Sequence, residues 1–191
     1  MNMIIATHNA HKIEEFGRIL APLGITVQTA ELTEAEETGT TFRENAYIKA
    51  KSACDETGLP CVADDSGLSI DYLNGEPGVY SARYLGDTPY EEKNRILIER
   101  VKDAKGKERS ARFMCNIAAV LPDGRVLHTE AAMEGEIAKE AAGNGGFGYD
   151  PIFLSDELGK TFAESSDEEK NSISHRGRAL KNLYDKLKKM N

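Results

Sequence analysis

The chain has no tryptophan, six prolines and only three cysteines in 191 residues, and its aromatic content is 7%. Three cysteines (Cys54, Cys61, Cys115) are an odd number, and their spacing fits no zinc or redox motif. Each thiol therefore reads as reduced, in or near the core, rather than as a catalytic group. No apolar run reaches the roughly 18 residues that a membrane helix needs. The opening Met1-Asn2-Met3-Ile4-Ile5-Ala6 is a short apolar stretch without basic flanks, unlike an export signal. The expected location is cytoplasmic, with no membrane partner. A basic surplus is missing as well. Lys plus Arg number 24 against 32 Asp plus Glu, for a net charge of −8. That balance argues against a duplex nucleic-acid binder. A small anionic ligand would have to be met by local lysines, arginines, backbone N–H groups or metal ions.

What is present reads as an ordinary globular protein, with 40% hydrophobic and 29% charged residues. Repeats, low-complexity tracts and linkers are lacking, so residues 1–191 are expected to form a single domain, with room for two lobes. Residues 3–6 read as a buried strand. Ile13, Phe16, Ile19 and Leu20 share one face of a helix that Pro22 and Gly24 end. Residues 25–27 suit a strand and 31–40 an acidic loop. Thr41-Phe42-Arg43-Glu44 has the form of a capping box, opening a helix that Gly58 and Pro60 stop. Cys61-Val62-Ala63 predicts a short strand that gives way to a turn at Asp64-Asp65-Ser66-Gly67. Thr88-Pro89-Tyr90-Glu91 predicts a second capping box, with its helix running to about Lys102. Alternation over 110–121 predicts a half-buried strand, with 126–132 as its hairpin partner across Pro122-Asp123-Gly124-Arg125. Leu180, Leu183 and Leu187 predict a C-terminal helix from Ser174. The sum is an α/β fold with a mixed sheet.

Four stretches carry chemistry. Thr7-His8-Asn9-Ala10-His11-Lys12 stands where a strand enters a helix, a place where free N–H groups favour an anion. The plain alternative is a helix cap. Asp64 and Asp65 are adjacent carboxylates, which persist at low solvation when a cation or donor compensates them. With phosphate oxygens they suit Mg²⁺. Glu36-Glu37 is a similar pair in the acidic loop. Gly143-Asn144-Gly145-Gly146-Phe147-Gly148-Tyr149-Asp150 spends four glycines in six residues, which predicts a close backbone approach. Phe147 and Tyr149 could stack on a planar base, and Asp150 could accept from ring N–H groups. Last, Lys170, His175 and Arg176 gather three basic side chains near the start of the final helix.

In order, these blocks match one family. Its first half lies in Ala6-Thr7-His8-Asn9 with Lys12, Glu36-Glu37-Thr38-Gly39, and Thr41-Phe42-Arg43-Glu44-Asn45-Ala46 with Lys49-Ala50. Ala63-Asp64-Asp65-Ser66-Gly67-Leu68, Pro77 through Tyr84, Gly146-Phe147-Gly148-Tyr149-Asp150-Pro151 and Ile173-Ser174-His175-Arg176 complete it. Over nearly its whole length the sequence resembles the inosine triphosphate pyrophosphatases, which clear ITP, dITP and XTP from the nucleotide pool.

The resemblance implies an elongated mixed sheet with flanking helices, two lobes around a central substrate cleft, and a homodimer. It implies Mg²⁺-dependent hydrolysis between the α- and β-phosphates, releasing nucleoside monophosphate and pyrophosphate. By position, Thr7, Asn9 and Lys12 would hold the triphosphate, in a turn shared with His8, Ala10 and His11. Lys49 would face the phosphates and Ser66 would touch the substrate. Glu37 and Asp65 would bind Mg²⁺, with Asp65 also activating water. Phe147 would stack on the base, with Gly148, Tyr149 and Asp150 completing its pocket. Lys170, His175 and Arg176 would reach the base edge and the phosphates. Pro77 to Tyr84 is a candidate interface loop on the same ground. His8 stands where many members have glycine, and Tyr149 where many have tryptophan.

Two other readings compete. A Maf-like diphosphatase for modified pyrimidine triphosphates lacks a place for the Phe147–Asp150 and Ser174–Arg176 blocks. A nucleotide-sensing module would need neither a metal nor a water-activating carboxylate, so Glu37 with Asp65 counts against it.

Overall fold

The structure is a computed structural model that describes residues 1–190. Six strands, β1 (Asn2–Ile5), β2 (Thr26–Gln28), β3 (Cys61–Ile70), β4 (Ser110–Val120), β5 (Val126–Ile137) and β6 (Phe153–Ser155), form one sheet in the order β2-β1-β3-β4-β5-β6. Five helices accompany them: α1 (Ala10–Leu20), α2 (Phe42–Thr57), α3 (Tyr90–Arg100), α4 (Asp167–Ile173) and α5 (His175–Lys188). β1 runs parallel to β2 and β3, while β5 and β6 are antiparallel. The five-residue turn between β4 and β5 is too short for a parallel crossover, so this pair is a hairpin. The sheet is therefore mixed. No helix of the described residues is long and apolar enough to cross a membrane.

The chain divides into two compact units. The first holds residues 1–65, 115–131 and the segment from 175 onward. Strand alternation gives it two apolar layers. Met3, Ile5, Val62, Cys115 and Ile117 point to one face, where Phe16 and Leu20 of α1 meet Leu180, Leu183 and Leu187 of α5. Ile4, Ala6, Cys61, Ala63 and Ala118 point to the other face, against Ala46, Ala50 and Ala53 of α2. The alanine stripe lets α2 lie close to the sheet. Each buried Leu or Phe contributes about 1.5–3 kcal/mol, so this stripe-to-stripe match fixes the register of the helices. All three cysteines are buried and reduced, as their count predicted.

The second unit holds residues 66–114 and 132–174. Leu68 and Ile70 of β3, Leu97 of α3, Val101 just after it, and Met133 and Ile137 of β5 surround Phe113, Phe153 and Phe162. These three rings sit 4.6–5.7 Å apart, centroid to centroid. A Cβ at Gly135 would come within 2.3 Å of the Leu154 carbonyl oxygen, so the β5–β6 pair closes only over glycine.

Several expectations change. β3 does not stop at Ala63; it continues through the aspartates to Ile70. Its pairing with β1 is what ends there, with Ile5 opposite Val62 and the Ala6 N–H on the Val62 carbonyl. The Asp64-Asp65 pair is thus in mid-strand, just past the carboxyl end of β1. The capping box at Thr41 forms with both of its bonds, but the one expected at Thr88 does not. Pro89 occupies the cap position, and the Thr88 hydroxyl instead donates to the Leu85 carbonyl. α3 ends at Arg100, two residues early, and β5 runs on to Ile137. β6 and α4 were not foreseen, although Ser166 and Glu169 form a capping box at the start of α4.

Candidate functional site

In the first unit, the turn from β1 into α1 is closed by its own polar side chains. Asn9 Oδ1 accepts the N–H groups of His11 at 3.0 Å and Lys12 at 3.3 Å, and Thr7 Oγ1 accepts the Asn9 N–H at 3.2 Å. Asn9 is thus a helix cap, as the plain reading had it. His8, Asn9, Ala10 and His11 are exposed, and Lys12 is half-buried.

Asp64 and Asp65 are neighbours in β3, so their side chains leave the sheet on opposite faces. Each then meets the helices of its own face. Asp64 lies with α1 and α5: Lys12 Nζ is 3.0 Å from its Oδ1, and Arg176 donates to its Oδ2 through Nη2 at 3.0 Å and Nε at 3.2 Å. The Arg176 guanidinium also binds Glu15, which follows Lys12 by three residues on α1. Asp65 lies with α2: Asn45 Nδ2 donates to it at 3.0 Å, and Lys49 Nζ stands 3.6 Å away. Lys49 also pairs with Glu37 at 2.7 Å. Asn45 and Lys49 are four residues apart and so share one helix face. Asn45 Oδ1 accepts the Gly39 N–H at 2.8 Å, which ties the acidic loop to the same helix.

The two aspartates are treated oppositely. Burial would push the Asp64 carboxyl up, but Lys12, Arg176 and Lys49 together hold it well below the usual carboxylate range. Burial wins at Asp65, whose carboxyl is raised against the pull of Lys49 and the Asn45 hydrogen bond, with help from Glu37. Two carboxylates pushed apart in this way divide into a fixed anion and a better base. Lys49 is raised despite burial, because Asp65, Asp64 and Glu37 surround it.

In the second unit, Asp150 is the centre. Its Oδ2 accepts the Phe147 N–H at 2.8 Å and binds Lys170 Nζ at 2.7 Å, with both side chains buried. Lys170 Nζ also lies 4.6 Å from the centre of the half-buried Phe147 ring. The glycines have a physical account here. A Cβ at Gly146 would fall 2.1 Å from Asp150 Oδ2, and one at Gly143 would fall 2.3 Å from the Ala163 backbone. The close approach is to the loop's own anchors. Tyr149 is buried, donates to the Ser81 carbonyl at 2.6 Å and meets Tyr90 edge-on.

The expected site residues therefore fall into two constellations. Thr7, Asn9, Lys12, Glu37, Lys49, Asp65 and Arg176 belong to the first unit, with His175 buried on the first turn of α5. Phe147, Gly148, Tyr149, Asp150 and Lys170 belong to the second, as does Ser66, the next residue of β3. Sequence reasoning missed Asn45, Glu15 and the clamp on Asp64. The i, i+4 spacing of Asn45 to Lys49 could have found the first of these. Glu37 and Asp65 offer only hard oxygen ligands, with no sulfur or imidazole between them, which fits Mg²⁺. Among the described residues no cluster of three or more metal-ligating side chains exists, and a metal that also binds substrate oxygens and water does not require one.

A model of the Ham1 family matches residues 3–186. The dITP/XTP pyrophosphatase of a Thermus thermophilus strain is 48% identical, with 98% of this chain and 92% of that protein covered. The dITP/XTP pyrophosphatase of Escherichia coli O157:H7 is 47% identical, over 97% and 98%. Among solved structures, a HAM1 protein from Coxiella burnetii superposes with a TM-score of 0.89 at 42% identity, covering 99% of both chains. The Staphylococcus aureus Ham1 protein gives 0.87 at 38%, covering all of both. With sequence, fold and length in agreement from end to end, this chain belongs to the Ham1 family.

Proposed function

We propose that the chain hydrolyses non-standard purine nucleoside triphosphates (ITP, dITP and XTP) to the nucleoside monophosphate and pyrophosphate. The observation that carries this reading is the divided aspartate pair: Asp64 locked between Lys12 and Arg176, and its neighbour Asp65 on the opposite face beside Asn45 and Lys49, with Glu37 on the same lysine. The relatives named dITP/XTP pyrophosphatase support the choice of substrate.

In this scheme Lys12, Lys49 and the α1 turn with Thr7 and Asn9 meet the triphosphate. Phosphoryl transfer needs mainly positioning, charge neutralisation and an oriented nucleophile. Glu37 and Asp65 would hold Mg²⁺, which when bound neutralises phosphate charge and acidifies water. Asp65 accepts the proton of the attacking water from its place in β3, where Asn45 and Lys49 hold its carboxylate. Asn45 fixes the Asp65 rotamer. Arg176 acts by holding Asp64, and through it Lys12.

Phe147 stacks on the base, Asp150 orders the loop around it, and donors from Lys170, His175 and the backbone of 147–150 meet a 6-oxo acceptor. Adenine presents an amino donor there and would leave these groups unpaired, at about 1–3 kcal/mol or tenfold and more per contact. The test is pyrophosphate release from ITP, XTP, dITP, ATP and GTP at equal concentration, with Mg²⁺ and with EDTA. Fast release from the first three, slow release from ATP and GTP, and loss of all activity in EDTA are expected. No release from any purine substrate would overturn the reading. An ITP/ATP ratio of kcat/KM unchanged in His175→Ala would remove the base-edge role of His175.

A further inference from the structure

α3 has no part in the scheme above, yet it grips the base-pocket loop. Tyr90 and Asn94 are four residues apart, share one face of α3, and both meet Gly148. The Asn94 Nδ2 donates to the Gly148 carbonyl at 3.0 Å. A Cβ on Gly148 would lie 3.6 Å from the Tyr90 ring. Asn94 is 3% exposed, and its Oδ1 is buried with no hydrogen-bond partner among the described residues. A bare buried acceptor is destabilising. An apolar side chain of similar volume would avoid that cost in a helix whose next core position is Leu97. What the asparagine gains is the donor half of its amide.

The loop's other anchors lie on either side of the Gly148 carbonyl. Asp150 holds the Phe147 N–H and Lys170, and the Tyr149 hydroxyl holds the Ser81 carbonyl. Gly148 itself has a φ of +66° and no side chain. Its carbonyl is the handle by which the loop can be set there. We propose that Asn94 is a positioning residue for base recognition. By holding the Gly148 carbonyl it fixes the peptide between Phe147 and Asp150, and so the relative setting of the ring face and the carboxylate assigned to the purine. This rests on the base-pocket reading of Phe147 to Asp150.

The test compares wild type with Asn94→Asp, which removes the donor at nearly constant size, and Asn94→Ala, which removes the side chain. KM and kcat for ITP and ATP are read from pyrophosphate release, beside the unfolding midpoint of each protein. In the variants, KM for ITP should rise about tenfold and the ITP/ATP ratio of kcat/KM should fall about tenfold, with kcat for ITP within about threefold. A purely structural role would lower the unfolding midpoint and leave KM and the ratio unchanged, and that result overturns the proposal. Should the aspartate variant fail to fold, the alanine variant carries the same readings. Wild type without a preference for ITP would remove the base-pocket reading and this proposal together. Wild type with that preference, and variants that keep it, would remove the role of Asn94 alone.

Discussion

At the scale of single residues, the candidate site holds two adjacent carboxylates in different surroundings, and different roles are proposed for them. Asp65→Asn keeps the shape and the Asn45 hydrogen bond but removes the carboxylate proposed as the base. Its kcat should fall by roughly 10²–10⁴-fold while ITP still binds, as measured by pyrophosphate release and by calorimetric titration. Asp64→Asn should act on stability. It leaves the fully buried Arg176 with one carboxylate fewer, and breaking a buried pair costs about 3–5 kcal/mol, read from urea unfolding at pH 7. The sign of the pH effect follows from the direction of the shift. Asp64 has its folded-state carboxyl well below the ordinary 3.8, so its contribution is complete above about pH 4 and is lost as pH falls toward the folded value. Wild-type stability should therefore decline below about pH 4, and Asp64→Asn should decline less steeply over that window. The sequence displayed both aspartates as a pair of interest. Which of them would be clamped was not legible, because the clamping cations come from residues 12 and 176, far away in the chain.

At the scale of elements, two segments with the same cap signature behaved differently. Thr41 accepts the Glu44 N–H, while the Glu44 carboxylate accepts the Thr41 N–H, so the box at the start of α2 is complete. Before α3, proline at the cap position has no N–H to offer a reciprocal bond, and Thr88 turns to the Leu85 carbonyl. Thr41→Ala should cost about 0.5–2 kcal/mol, and Thr88→Ala should stay within about 0.5 kcal/mol, both from chemical denaturation. Helices α1, α2 and α5 were legible because their apolar stripes repeat at helical spacing. β3 beyond Ala63 was not. Aspartates are poor strand residues, and only cations on both faces make this strand continue through them. α4 was legible in principle from Ser166 and Glu169, but its seven residues show no apolar stripe to draw attention to them.

At the scale of the whole molecule, the expected homodimer needs a surface. Within the second unit, Tyr72, Tyr80 and Leu85 lie close in sequence and are all exposed, Tyr80 by 63%. Tyr80 belongs to the Pro77–Tyr84 segment that the resemblance marked as an interface. The native protein should elute at twice its 21.0 kDa, and Tyr80→Asp should shift it toward monomer, by light scattering after size exclusion. A wild-type monomer would remove both statements. The sequence by itself determined the mixed α/β class, most of the helices, the reduced cysteines and the family, because these depend on local periodicity, composition and ordered motifs. Tertiary structure decided the chemistry of the aspartates. Strand alternation sends neighbours to opposite faces, and what waits on each face is set by packing across the chain. It also decided what the glycines serve: Gly146 makes room for Asp150 of its own loop, and Gly143 for the Ala163 backbone, a contact between segments that no local pattern records.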